Sequence, residues 1–173
     1  DRARTEARRL VTTFLPFAEA GIPIVGLEPS CLLALRDEVP ALLNDAAAAK
    51  VAEMALTFEE LLARDKPKIP LKKATGKALL HGHCHQKAFD VVRPIETVLG
   101  WIDGLEVTSI ETSCCGMAGA FGYGTSSYEI SMQMANANLL PAIRNADPDH
   151  LIIADGTSCR CQIKDGAQRT AKH

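Results

Sequence analysis

The chain has 173 residues, 47% hydrophobic, 23% charged and only 5% aromatic, with a formal net charge of −2. That length supports one packed domain with a mostly aliphatic core. The near-neutral balance excludes a basic nucleic-acid surface, and no apolar run approaches the roughly 20 residues of a membrane helix. Peripheral membrane association stays open.

Six cysteines are too sparse for a disulfide-stapled domain, so the chain reads as cytoplasmic, with reduced thiols. It opens on Asp1 without a Met or a signal peptide, which predicts a fragment of a longer polypeptide.

In chain order, Leu10, Val11, Phe14, Phe17 and Ala18 recur at helical spacing over Arg4 to Ala20, and Gly21 stops the pattern. Ile22 to Leu27 is a short apolar run and reads as a strand. Leu32 to Leu43 and Ala46 to Arg64 read as helices, and the lysine- and proline-rich stretch from Lys66 to Gly76 as an exposed loop. Lys77 to Leu80 is a second strand. Gln86 to Leu99 looks helical, with Pro94 at an edge or a kink. Leu105 to Ile110 is a third strand, Ser126 to Ile143 a long helix, and Leu151 to Ala154 a fourth strand. Strands alternating with helices predict an α/β fold: a mostly parallel sheet with flanking helices, in a single domain over residues 1–173.

Against this frame the cysteines take on a pattern. Cys31, Cys84, the pair Cys114-Cys115 and Cys159 each lie just past the end of a predicted strand. Ligands of parallel α/β sheets bind outside the carboxyl ends of the strands, so four segments are expected to deliver thiols to one sheet edge. Adjacent cysteines cannot easily bond to each other, so both thiols of the pair must point at something else. A soft-metal or iron–sulfur site follows, since thiolates hold such centres. Gly116 lets the backbone approach a bulky inorganic core.

Two readings stay open for the alternating His81, His83 and His85, which share a face of an extended segment. They can bind zinc, or His83 and His85 can orient the Cys84 loop by hydrogen bonds. A weak internal repeat aligns Ile24-Val25 with Ile152-Ile153 and Ser30-Cys31 with Ser158-Cys159. It suggests a tandem pair, with residues 1–45 the tail of a truncated first copy and 77–166 the second. Gly119, Gly122 and Gly124 do not match the dinucleotide-binding fingerprint, and no hydrolytic triad stands out.

The set His83-Cys84-His85, Cys114-Cys115-Gly116 and Ser158-Cys159 resembles the CCG (cysteine-rich) domain. That domain occurs in a subunit of heterodisulfide reductase, in glycolate and lactate oxidase iron–sulfur subunits, and at the C-terminus of FAD-linked 2-hydroxyacid dehydrogenases. Glu28-Pro29-Ser30-Cys31 and Asp155-Gly156-Thr157-Ser158-Cys159 are most similar to the FAD-linked proteins.

The resemblance implies a [4Fe–4S] cluster held by Cys84, Cys114, Cys115 and Cys159, with Gly116, His83 and His85 around it. Cys159-Arg160-Cys161 departs from the family's Cys-x-x-Cys, which makes Cys161 and Cys31 secondary metal candidates. It also implies an electron-transfer module without turnover of its own. Its partners are then an electron acceptor and a flavin dehydrogenase domain or subunit that carries FAD and oxidises a 2-hydroxy acid of the glycolate, lactate or 2-hydroxyglutarate type. The alternative is a zinc-stabilised structural or docking module without a redox role. Direct thiol–disulfide chemistry at Cys114-Cys115 is a third reading.

Overall fold

The computed structural model of the chain describes residues 2–112 and 114–173; Asp1 and Ser113 lie outside it. The chain divides into two compact units, one up to Asp65 and the other Lys66–His173.

The first unit runs α1 (Arg2–Glu19), β1 (Ile24–Gly26), α2 (Pro29–Leu33), α3 (Glu38–Leu43), α4 (Ala46–Met54), β2 (Ala55–Thr57) and α5 (Phe58–Asp65). β1 and β2 pair in parallel, with Ile24 opposite Ala55 and Gly26 opposite Thr57. Ala7, Val11 and Ala18 of α1 line one helical face and bury against Val39, Leu43, Ala48 and Val51. Asp45 caps α4 by accepting from the Ala48 N–H at 2.9 Å and pairs with Arg8 at 2.5 Å. The half-buried Arg36–Glu60 pair, at 2.9 Å, ties the bend between α2 and α3 to α5.

Two expected helices are divided here. Ala46 to Arg64 is interrupted by β2, because Ala55-Leu56-Thr57 is recruited as the neighbour of β1. Leu32 to Leu43 breaks before α3, where Asp37 leaves helical geometry at φ −119° and ψ −81°.

The second unit runs β3 (Gly76–Leu80), α6 (Cys84–Ala88), α7 (Val92–Leu99), β4 (Leu105–Ser109), a 3-10 turn (Phe121–Tyr123), α8 (Tyr128–Ala137), α9 (Leu139–Arg144), β5 (Leu151–Ile153), α10 (Thr157–Ala167) and β6 (Ala171–Lys172). Its four strands form one sheet in the order β4-β3-β5-β6, every neighbouring pair parallel. A parallel sheet needs both faces covered. The neighbours Ile152 and Ile153 point to opposite faces and join two different clusters. Ile152 packs with Leu139, Ile143 and Ile163, whereas Ile153 packs with Ala78, Leu80 and Ile95. Burying each such side chain stabilises the fold by about 1.5–3 kcal/mol.

The expected helix from Gln86 to Leu99 is broken at Asp90, which sits at φ +56°, and Pro94 falls in the first turn of α7, where its missing N–H costs nothing. The helix from Ser126 to Ile143 is broken at Asn138.

The α/β architecture with parallel strands and flanking helices is as the sequence predicts. One part of that expectation changes. The strand before Cys31 belongs to the two-stranded sheet, so three segments rather than four lead off the carboxyl edge of the larger sheet.

Candidate metal centre

Beyond Leu80 the chain leaves β3 as His81-Gly82-His83 and enters α6 at Cys84. Beyond Ser109 it leaves β4 toward Cys114-Cys115-Gly116. Beyond Ile153 it passes Ala154-Asp155-Gly156 and enters α10, whose third residue is Cys159. The ladder runs one residue past the regular strands: the His81 N–H donates to the Ile153 carbonyl and the Ile110 N–H to the Leu80 carbonyl, both at 2.8 Å. These bonds register the three departing segments against each other.

Four sulfurs meet there in a row. Cys84 neighbours Cys114, and Cys114 neighbours Cys115, closely enough for each thiol to shift the titration of the next. Cys115 and Cys159 follow with their Sγ atoms 3.3 Å apart. Cys115 and Cys159 are 3% and 1% exposed, whereas Cys84 and Cys114 are half-buried. A ring nitrogen of His81 and the sulfurs of Cys115 and Cys159 all lie within 4.8 Å of one another.

Charge alternates along this row. Hydrogen bonds from Cys115 and Cys84 hold the Cys114 thiol well below its ordinary range, and the Gly116 N–H, 3.3 Å from its sulfur, adds to this. Cys159 is likewise lowered, first by its bond with Cys115 and then by His81. Cys84 and Cys115 are pushed far up by the same bonds and by burial. Protons and negative charge are thus shared among neighbouring sulfurs, two of them buried and two half-buried.

The surrounding residues fix the loops. Gly116 has φ +88°, and a Cβ there would overlap the Ser131 carbonyl oxygen. The buried Gln162 amide donates to the Cys115 carbonyl and to Ser131 Oγ, each at 3.0 Å. At Gly156 a Cβ would come within 2.6 Å of the His83 ring and 3.2 Å of Cys159 Sγ, so a side chain there would crowd the thiol. His83 caps α6: its Nδ1 accepts from the His85 N–H at 3.2 Å, while its own N–H donates to Gln86 Oε1 at 2.9 Å. Gln86 Nε2 in turn donates to the buried Asp155 carboxylate at 2.7 Å, joining the β3 and β5 loops. Lys87 Nζ donates to the Thr112 carbonyl at 2.5 Å and to its hydroxyl at 2.9 Å, clamping the segment that leads to Cys114.

The sequence candidates therefore separate. Cys84, Cys114, Cys115 and Cys159 come together, with Gly116 and His83 against them. His85 stacks edge-on to His83 with ring centroids 5.6 Å apart, and its half-buried ring supports the cap. Cys161 does not join the row. Two residues after Cys159 on the same helix, it is rotated by about 200° and neighbours Tyr123 instead. Cys31 belongs to the other unit, where it is exposed as the third residue of α2, the position Cys159 holds in α10.

Thr112, Lys87, Gln86 and Gln162 are not among the site residues the sequence nominates. The sequence offers His81 only as one of three alternating histidines able to bind zinc, without setting it apart from His83 and His85.

The donor set fits a thiophilic group. Thiols and an imidazole suit zinc or an iron–sulfur cluster: His81, Cys115 and Cys159 form a group, Cys84 and Cys114 adjoin it, and Gly156 keeps a Cβ off the Cys159 sulfur. His81 Nε2, buried and without a hydrogen-bond partner, is the kind of atom a metal satisfies. No described helix is long and apolar enough to cross a membrane.

Known proteins carry a similar sequence over this whole region. The chain is 30% identical to a subunit of the anaerobic glycerol-3-phosphate dehydrogenase of Escherichia coli, over all of its own length and 44% of that protein. It is 28% identical to D-2-hydroxyglutarate dehydrogenase of Pseudomonas putida, over 96% of its length and 16% of that protein. It is 29% identical to the enzyme of the same name from Haemophilus influenzae, over 90% and 16%. The chain thus spans less than half the length of these curated relatives. No family model and no solved structure matches it.

Proposed function

We propose that the chain is the iron–sulfur electron-transfer part of an FAD-linked oxidoreductase acting on a 2-hydroxy acid, with a CCG-type domain as its framework. The observation that carries the reading is the row of four sulfurs from Cys84 to Cys159 at the carboxyl edge of the sheet. A bound cluster would supply one-electron carriage. The residues themselves hold charge and exclude water: Cys84, Cys114, Cys115 and Cys159 are the ligands, and the Gly116 N–H donates to sulfur.

The relatives' names support a dehydrogenase context, and both named substrates are hydroxy compounds. Because the chain matches only part of each relative, a flavin-bearing domain or subunit and an electron acceptor are its partners, and it has no turnover alone. Cysteines that are all free suit the cytoplasm. The matching third-helical-residue positions of Cys31 and Cys159 favour reading 77–166 as the second copy of a repeat whose first copy ends within 1–45.

His81 beside two thiols also favours a second reading, zinc in a structural role. Anaerobically prepared protein separates the two. Iron and labile sulfide in matching amounts, with visible absorption that bleaches on reduction and an EPR signal, are expected. Stoichiometric zinc without a visible band overturns the electron-transfer reading.

A further inference from the structure

We propose that His81 is itself a ligand of the centre, holding metal through Nε2 beside Cys115 and Cys159. The proposal rests on the metal-centre reading but not on the metal being an iron–sulfur cluster. His81 is 1% exposed and is the first residue past β3, held there by its own N–H on the Ile153 carbonyl. Its Nδ1 lies 2.9 Å from Thr112 Oγ1. Metal-bound histidines keep their second nitrogen on an outer partner that fixes the ring. Thr112 is that partner, and its hydroxyl is itself braced by Lys87 at 2.9 Å.

With Nδ1 engaged, Nε2 is the nitrogen left for the sulfurs, and it has no hydrogen-bond partner among the described residues. A buried polar atom without a partner points to a missing one. The neighbours within 4.8 Å are two sulfurs that are themselves metal donors. The other two alternating histidines differ: His83 Nδ1 is committed to the α6 cap, and His85, whose Nδ1 also lacks a partner, packs against that ring and is not grouped with Cys115 and Cys159.

The chain is thereby a mixed nitrogen–sulfur site rather than an all-thiolate one, with His81–Thr112–Lys87 as a relay of orientation from α6 to the metal. Thr112 and Lys87 are positioning residues.

The test uses Zn²⁺ alone, added anaerobically to the chelator-treated 173-residue chain and read by zinc-edge X-ray absorption and by competition titration. The wild type is expected to show a sulfur shell plus the scattering of one imidazole. His81→Cys should keep the zinc and lose the imidazole. Thr112→Val should keep the imidazole but bind zinc roughly tenfold to a hundredfold more weakly. An all-sulfur shell in the wild type, or an imidazole signal that survives in His81→Cys, overturns the proposal; unchanged affinity in Thr112→Val overturns the relay. A wild-type chain that takes up no zinc overturns the metal-centre reading together with this one. Zinc held through an imidazole in a chain that assembles no iron–sulfur cluster overturns only the iron–sulfur reading.

Discussion

The sulfurs of Cys115 and Cys159 stand 3.3 Å apart although 44 residues separate them in sequence. A disulfide needs about 2.05 Å, so closing the pair requires a shift of only about an ångström. In chelator-treated protein, diamide should oxidise these two thiols to a disulfide, being itself reduced to the hydrazine as it takes up two electrons and two protons. Non-reducing peptide mapping should recover the 115–159 link, and prior zinc loading should suppress it. A link at Cys31 or Cys161 instead would count against the geometry.

Metal binding should release protons. Cys84 and Cys115 are pushed up and stay protonated through the neutral range, while Cys114 and Cys159 are held down and are already thiolates. A metal that takes all four sulfurs displaces the two remaining protons, so affinity rises with pH. Calorimetry in buffers of different ionisation enthalpy should report about two protons released per metal near neutral pH. Release of four would mean that the free protein carries no thiolates.

Gly116→Ala should damage the fold and the site together. The residue sits at φ +88°, and a Cβ would overlap the Ser131 carbonyl. A loss of roughly 1–3 kcal/mol from the backbone conformation alone is expected in urea unfolding, with further loss from the overlap. Metal uptake should fall as well, because the backbone shift that relieves the overlap moves the residue 116 N–H away from the Cys114 sulfur.

Gln86→Leu keeps the side-chain volume close but removes the donor to Asp155 and the acceptor for the His83 N–H. Asp155 is 3% exposed, so its carboxylate loses a buried partner. The cost should be about 1–3 kcal/mol or more, read in the chelator-treated protein.

The outline of this site was legible because its main parts are local. Apolar runs gave the strands before Cys84, Cys114 and Cys159, and each cysteine stands just beyond one. What stayed hidden depends on contacts distant in sequence. Ala55-Leu56-Thr57 carries no turn residue to separate it from its helical neighbours and becomes a strand only by pairing with β1. Asn138 breaks a helix that its own sequence does not forbid. Cys31 read like Cys159 because the local strings match, and only strand pairing puts them in different sheets. Lys87 and Thr112 gave no signal, since their link spans 25 residues. Gln162 joins a helix to a loop 47 residues earlier, which no motif announces.

The three segments that carry the thiols leave three different strands, and the last of them ends the row at Cys159. No shorter stretch of chain contains the site. During synthesis, Cys84, Cys114 and Cys115 emerge without their final partner, and the sheet that aligns them is incomplete until β5 pairs with β3. Binding of the proposed metal would therefore be a late event in the life of the polypeptide. It would wait for a nearly folded domain and take place at a formed edge of sheet rather than on a nascent strand.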